Sequence, residues 1–323
     1  MKTLPCLLVV VVFAFNPKPT ENISVPDAVR VHEFYRLAEK IQDEVWPGWS
    51  AAPAPMLLVT STSEFLTHHP DTPKDFVDAG DGFFVRPRQF PPNLEATFPA
   101  FGPPSVIVVG APETTASRSS TPWLFVLMHE HFHQLQDVQP DFYKKVEELG
   151  LSHGDRSGMW MLNYRFPYEK SAAVEGFAAL RDLLLKALAE RDEGKFKELS
   201  QAYLRQRKAY FAQFSADDRK YFEFELWKEG IARYAQVKCA EAAASYQPTP
   251  EFAALPDYKS FALVAGKARA TTLSELKEIN LSDAKRTVVY SFGAAEGFLL
   301  DRLRPDWKKH YFEHLFSLSE FFE

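Results

Sequence analysis

After residue 121, nearly every long segment of the chain carries apolar residues at helical spacing, with few prolines or glycines between them. A repeat of about 3.6 residues predicts helices that bury one face against a common core. Helices are predicted over residues 122–137, 169–191, 195–214, 217–244 and 281–303. These helices make the second part of the chain a helical assembly.

The first part of the chain has a different character. One helix is predicted over residues 26–46, because Pro47 and Gly48 end an apolar repeat there. Short runs of apolar residues predict strands at residues 56–60, 82–85 and 105–109. The remainder of residues 71–104 is dense in Pro, Gly and Phe, which indicates loops and short extended pieces.

Together these patterns predict an α+β fold that is mainly helical. The chain has 323 residues, of which 46% are hydrophobic, and this is enough for one sizeable core. No long flexible linker divides it. Residues 21–323 are therefore predicted to form a single region, with an α/β part at 21–120 and a helical part at 121–323.

The first residues resemble a secretory signal. Lys2 precedes an apolar run that extends to Phe15 and is too short to span a bilayer as a helix. We therefore expect residues 1–20 to be a signal peptide, the protein to be exported (periplasmic or secreted), and no stable membrane span to remain after cleavage. The cleavage pattern around Ala14 is poor, and a buried N-terminal strand is the alternative.

Charge and cysteine content exclude some classes of function. The net charge is -6, and no Lys/Arg cluster interleaves with aromatic residues, so we expect no nucleic acid partner. Cys6 and Cys239 are the two cysteines, and removal of the signal would leave no internal disulfide. Cys239 lies in an Ala-rich helical stretch and is expected to be buried. The sequence does not indicate the oligomeric state.

The chemistry of the chain is concentrated in an HExxH motif at residues 129–133. Thr121 and Pro122 are suited to a helix start, which places the motif inside a helix. On that helix His129 and His133 share one face and can bind one zinc ion at about 2.0–2.1 Å. Glu130 stands about 100° around the helix, where it can accept a proton from water activated by the metal.

Two other interpretations of the motif remain. His129, His131 and His133 alternate, so on a strand all three would face one side and form the three-His site of a non-peptidase metalloenzyme. The Thr-Pro start and the lack of a β-branched run favour the helix. The second alternative is a catalytically inactive metal-binding or scaffold protein that carries the motif on an ordinary helix.

A catalytic zinc takes a third protein ligand, and this must come from another helix. Glu229 is the first candidate, because Gly230 and Ala232 beside it are small enough to let two helices approach closely. Glu175 has the same local sequence form, and Glu169 is the third option. For each of the three, a solvent-facing carboxylate is the alternative.

The motif and the downstream Glu229-Gly230-x-Ala232-x-Tyr234 resemble the gluzincin metallopeptidases. The combination of HExFHxxQ at residues 129–136 with residues 160–168 and 226–230 is also similar to uncharacterised bacterial predicted metallopeptidases, and the resemblance covers roughly residues 121–240. It implies a zincin-like fold, in which a small N-terminal sheet packs on the HExxH helix, and a peptide or protein substrate.

By this resemblance His129, His133 and Glu229 would be the zinc ligands and Glu130 the base. One departure concerns spacing, because gluzincins usually place the third ligand a few tens of residues after the second His. Glu229 lies 96 residues beyond His133 (229 − 133 = 96), whereas Glu175 lies 42 beyond it (175 − 133 = 42). In gluzincin-like folds an edge strand before the active helix binds an extended peptide, and the predicted strand at 105–109 precedes this helix. From the sequence alone it is predicted simply as a buried strand.

Supporting residues are expected around the metal. A tetrahedral intermediate needs a hydrogen-bond donor opposite the metal, and Tyr234 is predicted to supply it, with Tyr164 and Tyr168 as alternatives. Asp137, one turn after His133, is predicted either to orient a ligand imidazole or to end the helix.

Overall fold

The computed structural model describes residues 22–155 and 157–323. The helices, in chain order, are α1 (Val25–Val45), α2 (Ser120–Asp137), α3 (Phe142–Glu148), α4 (Trp160–Asn163), α5 (Ser171–Ala189), α6 (Glu193–Ala212), α7 (Ala216–Glu225), α8 (Ile231–Ala242), α9 (Pro250–Ala253), α10 (Phe261–Glu278), α11 (Leu281–Ala284), α12 (Val288–Leu303) and α13 (Trp307–His310). A π-helical segment, Leu226–Gly230, joins α7 to α8. The predicted signal peptide at residues 1–20 lies outside the described residues.

The strands form one small mixed sheet. They are β1 (Met56–Val59), β2 (Ser63–Thr67), β3 (Val77–Gly80), β4 (Phe83–Pro87), β5 (Glu95–Phe98) and β6 (Val106–Gly110), in the order β3-β4-β2-β1-β6-β5. β1 and β6 are parallel, and the other neighbours are antiparallel. β5 is therefore an edge strand that runs antiparallel to β6.

One face of the sheet packs against the helices. Leu58 and Ile107 on that face belong to the same buried cluster as Phe34 of α1 and Leu127 of α2. Residues of the opposite face, such as Val108, form a smaller cluster under the loops. The side chains of β5 that point to the helical face therefore lie beside α2.

The prediction of a mainly helical fold with a small sheet is confirmed, but its details differ. The predicted helix at 217–244 is interrupted by the π-helical turn, and α10 was not predicted. Three strands were also missed: β2, β3 and β5. β3 and β5 lie in the Pro- and Gly-rich region, and each has four residues, too few for their alternation of apolar and polar residues to identify a strand.

A distant carboxylate caps α2. The helix begins at Ser120, whose backbone N–H donates to Asp257 Oδ2 at 2.8 Å and whose hydroxyl also contacts this carboxylate. Thr121 was predicted as the cap, but its hydroxyl donates instead to the carbonyl of Lys259. The start of the motif helix is thus fixed by the segment that precedes α10, which no local sequence signal reveals.

Two glycines bring α12 close to the π-helical segment. A Cβ atom built on Gly230 would lie 2.7 Å from the Cα of Gly293, and one on Gly293 would lie 2.5 Å from the Cα of Gly230. Any larger residue at either position would force the helices apart. The expectation that Gly230 permits a close helix contact is met, and the partner helix is α12.

No helix in residues 22–155 or 157–323 has both the length and the apolar character needed to cross a bilayer.

Candidate metal centre

Three side chains converge at one point, and we call them the metal cluster: His129, His133 and Glu229. The histidines lie one turn apart on α2, and Glu229 belongs to the π-helical segment. The Nε2 atoms of the two imidazoles are 3.1 Å apart. Glu229 Oε2 lies 3.2 Å from the Nε2 atom of His133 and 3.4 Å from that of His129. The three atoms thus form a nearly equilateral triangle.

The size of this triangle matches the ligand spacing of a tetrahedral zinc ion. With zinc–ligand distances of about 2.0–2.1 Å, the edge of the tetrahedron is about 3.3 Å long. Two imidazoles and one carboxylate also leave a fourth position open, as catalytic zinc sites require. The residues therefore fit a zinc ion. Within the described chain, no other group of three His, Cys, Asp or Glu side chains has a comparable arrangement.

Gln136 orients His133 from the far side of its ring. The amide nitrogen of Gln136 donates to the carbonyl oxygens of Trp227 and Lys228, at 3.0 and 3.1 Å, so the amide oxygen points the other way. This oxygen lies 2.7 Å from His133 Nδ1 and accepts its proton. A neutral imidazole carries one ring proton, so the lone pair of His133 lies on Nε2, toward the other two ligands.

Arg286 holds Glu229 through the oxygen that faces away from the imidazoles. Its Nη2 atom donates to Glu229 Oε1 at 2.8 Å. Its Nε atom lies 2.8 Å from an oxygen of Glu225, a buried carboxylate one turn before Glu229. The guanidinium thereby links the two carboxylates and leaves Glu229 Oε2 free for the metal cluster.

Charge interactions inside the metal cluster are strong because its members are largely buried. Burial by itself would raise the pKa of Glu229, but His133 and His129 hold it well below its ordinary range. Burial by itself would lower the pKa of His133, but the Glu229 carboxylate raises it. At His129 burial dominates and lowers the pKa. The cluster therefore favours a positive charge between the carboxylate and the imidazoles.

Glu130 lies beside the metal cluster without joining it. It follows His129 on α2 and is buried. The hydroxyl of Thr97, on β5, donates to Glu130 Oε2 at 2.8 Å. Glu95 lies two residues before Thr97, so its side chain shares that face of β5, and burial together with the charge of Glu130 raises its pKa. The position predicted for the base therefore adjoins both the metal cluster and the edge strand.

His131 points away from the metal cluster, into the core. One ring nitrogen contacts the amide oxygen of Gln134 at 2.9 Å, and the other contacts the amide group of Gln42 at 3.0 Å. Its ring stacks on Trp49, with ring centroids 5.4 Å apart. Because residues 129–133 are helical, the three histidines do not share a face, and the proposed three-His site on a strand is wrong.

The two alternative third ligands lie outside the metal cluster. Glu175 is exposed on α5. Glu169 is also exposed and forms an ion pair with Lys285 at 3.1 Å. Neither carboxylate joins the imidazoles. Of the three candidates, Glu229 is the one that lies beside His129 and His133, despite its distance along the chain.

Tyr234 does not occupy the position predicted for a catalytic hydroxyl. Its hydroxyl donates to Asp301 Oδ1 at 2.7 Å, and its ring is fully buried. Asp301 lies eleven residues beyond Tyr290 on α12 (301 − 290 = 11), which is about 16 Å along a helix. The ring of Tyr290 contacts that of His129, so the Tyr234 hydroxyl lies too far along α12 to be the donor opposite the metal.

Tyr290 is the tyrosine that sequence reasoning missed. Its ring stacks on His129, with centroids 6.0 Å apart. Arg286 Nη1 donates to its hydroxyl at 3.3 Å. Burial, followed by the charge of Glu229, raises its pKa, so the hydroxyl stays protonated. The four-residue spacing of Arg286 and Tyr290 on a predicted helix was the available signal.

The other two tyrosine candidates have different neighbours. The Tyr164 hydroxyl donates to Asp218 at 3.2 Å. Tyr168 is buried, and the charges of Glu225 and Arg286 act on its pKa, which burial raises to about 12. Tyr168 therefore lies behind the Arg286 network.

Asp137 does not orient a ligand imidazole. It is the last residue of α2, which agrees with the alternative prediction that Asp137 ends the helix. Its carboxylate accepts from Lys228 Nζ at 2.6 Å and from the hydroxyl of Ser105 at 2.7 Å. The orienting role belongs to Gln136, one residue earlier, and Asp137 instead anchors the residue next to Glu229.

Comparisons with known proteins were made for the whole chain. No protein family model, no curated protein and no solved structure matches it.

Proposed function

We propose that this protein is a zinc-dependent hydrolase that cleaves peptide bonds, with His129, His133 and Glu229 as ligands and Glu130 as general base. The observation that carries the proposal is the triangle of ligand atoms, with sides of 3.1, 3.2 and 3.4 Å, beside a carboxylate that does not belong to it. An open fourth position next to a free base is the arrangement of a catalytic zinc site rather than a structural one.

Each residue then has a defined task. A bound zinc ion lowers the pKa of water to about 7 and polarises a carbonyl group. Glu130 accepts a proton from the attacking water and passes it to the leaving nitrogen. Thr97, which donates to one oxygen of Glu130, holds the carboxylate toward the reacting atoms. Tyr290 replaces Tyr234 as the hydroxyl donor to the developing oxyanion.

The edge strand supports a peptide as the substrate. Gly110 N–H donates to Leu94 O, and Ile107 N–H donates to Pro55 O on the side of β1. Since bonded and non-bonded pairs alternate in an antiparallel ladder, the N–H and C=O groups of Glu95 and Thr97 point away from β6. An extended peptide can add to this free edge, and the same two residues reach the base with their side chains.

The buried strand predicted at residues 105–109 is β6, which lies inside the sheet between β1 and β5. The edge strand β5 takes the peptide-binding role in the proposal. A sheet whose antiparallel edge strand borders the motif helix supports the zincin-like fold.

The second candidate is a metal-binding protein without catalytic activity. Its support is burial, because the side chains of His129, His133 and Glu229 are only 9, 5 and 15% exposed. A site this enclosed admits a peptide only where the β5 edge opens to solvent.

The exported location and the peptide or protein substrate are part of the first proposal.

The decisive experiment uses Glu130→Gln, with Glu175→Gln as a matched control at an exposed glutamate. Zinc content is measured by elemental analysis. Hydrolysis is measured with a library of fluorescence-quenched peptides. We expect zinc in all three proteins, with the rate of Glu130→Gln reduced by about 10²- to 10⁴-fold and that of Glu175→Gln unchanged.

Other outcomes would select the rivals. A zinc-loaded Glu130→Gln protein that cleaves as fast as the parent would exclude Glu130 as the base. A parent protein that binds zinc and cleaves no peptide in the library would favour the inactive metal-binding protein. A native protein without zinc would favour a scaffold.

A further inference from the structure

A sizeable cavity lies away from the metal cluster. It has a volume of about 880 Å³ and is bordered by α6, α7 and the segment 315–323. Cavities of roughly 300–1,000 Å³ are the size that proteins use to bind small molecules. Neither a metal ligand nor Glu130 lines it, so the proposed hydrolysis leaves this cavity unexplained.

The floor of the cavity is apolar. Phe211, Phe316 and Phe322 line it and are largely buried. Arg207 is also present at the floor, but its guanidinium is neutralised by Glu223 at 2.9 Å and by Glu296 at 2.6 Å. The floor therefore offers contacts to an apolar group, and its guanidinium is already paired within the protein.

The rim of the cavity is cationic. Arg205 and Lys208 of α6 and Arg219 and Lys220 of α7 are all exposed there. Among the described residues, Arg205, Lys208 and Arg219 have no ion-pair partner, whereas Lys220 lies 3.6 Å from Asp217. The one lining carboxylate outside the Arg207 network is that of Glu323. In a chain with a net charge of -6, this is a local excess of positive charge.

We propose that this cavity, which we call the cationic-rim cavity, binds an amphiphilic anion. The apolar body of such a ligand packs on the phenylalanine floor, and its anionic head lies among Arg205, Lys208 and Arg219. The same chemistry, an apolar chain with an anionic head, is found in a free fatty acid and in an anionic phospholipid. The site is independent of the metal cluster and of any hydrolytic activity.

The first test measures binding of dodecanoate, below its critical micelle concentration, to the full chain by isothermal titration calorimetry. We expect saturable binding that weakens about tenfold in an Arg205→Glu/Lys208→Glu variant, because two attractive charges become repulsive. The matched control is Lys195→Glu/Lys197→Glu, which makes the same charge change at exposed positions of α6 outside the cavity. We expect this control to bind like the parent.

The second test separates the apolar from the ionic contribution. Ala212→Trp places a large ring into the cavity from an exposed position at the end of α6, so the fold should tolerate it. We expect it to abolish dodecanoate binding, and we expect dodecyltrimethylammonium not to bind the parent. Thermal unfolding of each variant verifies that it is folded.

A parallel binding experiment identifies the source of the ligand. Saturable binding of dodecanoate supports a free carboxylate, and binding to phosphatidylglycerol vesicles that Arg205→Glu/Lys208→Glu abolishes supports a lipid. The proposal is overturned if neither probe binds. It is equally overturned if the cationic amphiphile binds as well as dodecanoate, or if the control variant weakens binding as much as the rim variant does.

Discussion

Two glutamates of this protein, Glu229 and Glu296, have similar surroundings and different partners. Each precedes a glycine in a helical segment, and each lies beside an arginine. Arg286 donates to one oxygen of Glu229 at 2.8 Å. Arg207 donates to both oxygens of Glu296, at 2.6 and 3.3 Å, and the hydroxyl of Tyr203 adds a further bond at 2.5 Å.

The difference lies in what faces the second oxygen. The Glu296 carboxylate accepts from Arg207 and Tyr203, so both of its oxygens are hydrogen-bonded within the protein. The second oxygen of Glu229 instead faces the Nε2 atoms of two imidazoles. The Nε2 atom of His133 carries a lone pair, because Gln136 accepts the proton on the Nδ1 atom of the same ring. Glu229 Oε2 and His133 Nε2 are thus two acceptors held 3.2 Å apart, and a cation between them would offset their repulsion. The neighbours of the two carboxylates, not their local sequences, distinguish Glu229 from Glu296.

The largest expected effect is on zinc affinity when each glutamate is neutralised. Glu229→Gln should weaken zinc binding by more than about 100-fold, because even residues outside the coordination sphere contribute about 10- to 100-fold. Glu296→Gln should leave zinc affinity unchanged. Competition with a chromophoric chelator measures both affinities.

The same pair of variants provides a control on stability. With zinc removed, Glu296→Gln should lower the free energy of unfolding, because Arg207 and Tyr203 lose an anionic partner in the core. Denaturation in urea measures this change. If both variants lost zinc affinity equally, the distinction between the two carboxylates would be wrong.

An intermediate effect is expected at Gln136. Gln136→Leu removes the acceptor that keeps the His133 lone pair on Nε2, and we expect a loss of about 10- to 100-fold in zinc affinity. Gln134→Leu is the matched control, since Gln134 contacts His131 on the other face of the same helix. The control should be less stable, because its amide also donates to the carbonyls of Pro55 and Ser105, but it should keep its zinc affinity. Equal losses of zinc affinity would refute the orienting role.

The sequence was sufficient to predict the parts of the site that depend on local geometry. The four-residue spacing of His129 and His133 fixes a common helical face, and Gly230 marked the segment that approaches another helix. The prediction of Tyr234 ignored the same geometry, since a residue five positions after Glu229 lies about 140° around a helix. Helical spacing alone therefore directs Tyr234 away from the side that carries Glu229.

Other parts of the site depend on contacts between distant segments. Arg286 reaches Glu229 across 57 residues, and Thr97 reaches Glu130 across 33. β5 carries Thr97, but its four residues are too few for their alternation to identify a strand, and its sequence does not indicate proximity to α2. Such contacts follow from the packing of the helices and the sheet, which the spacing of residues along the chain does not encode.

The smallest effect on zinc binding is expected at His131, the third histidine of the motif helix. His131→Asn keeps an amide within reach of Gln134 and touches no member of the metal cluster. We therefore expect zinc affinity to change by less than about twofold, as for sites without shared partners. Loss of zinc in this variant would contradict the separation of the two faces of α2.

His131 should instead affect how stability depends on pH. Burial lowers its pKa to about 4, whereas a histidine in the unfolded chain titrates near about 6.5. Between these values the unfolded chain binds a proton that the folded chain does not, so the free energy of unfolding falls as the pH drops. His131→Asn has no such group. In urea denaturation without metal, its free energy of unfolding should therefore fall less than that of the parent between about pH 7 and pH 5. Equal slopes would mean that His131 takes up its proton inside the fold.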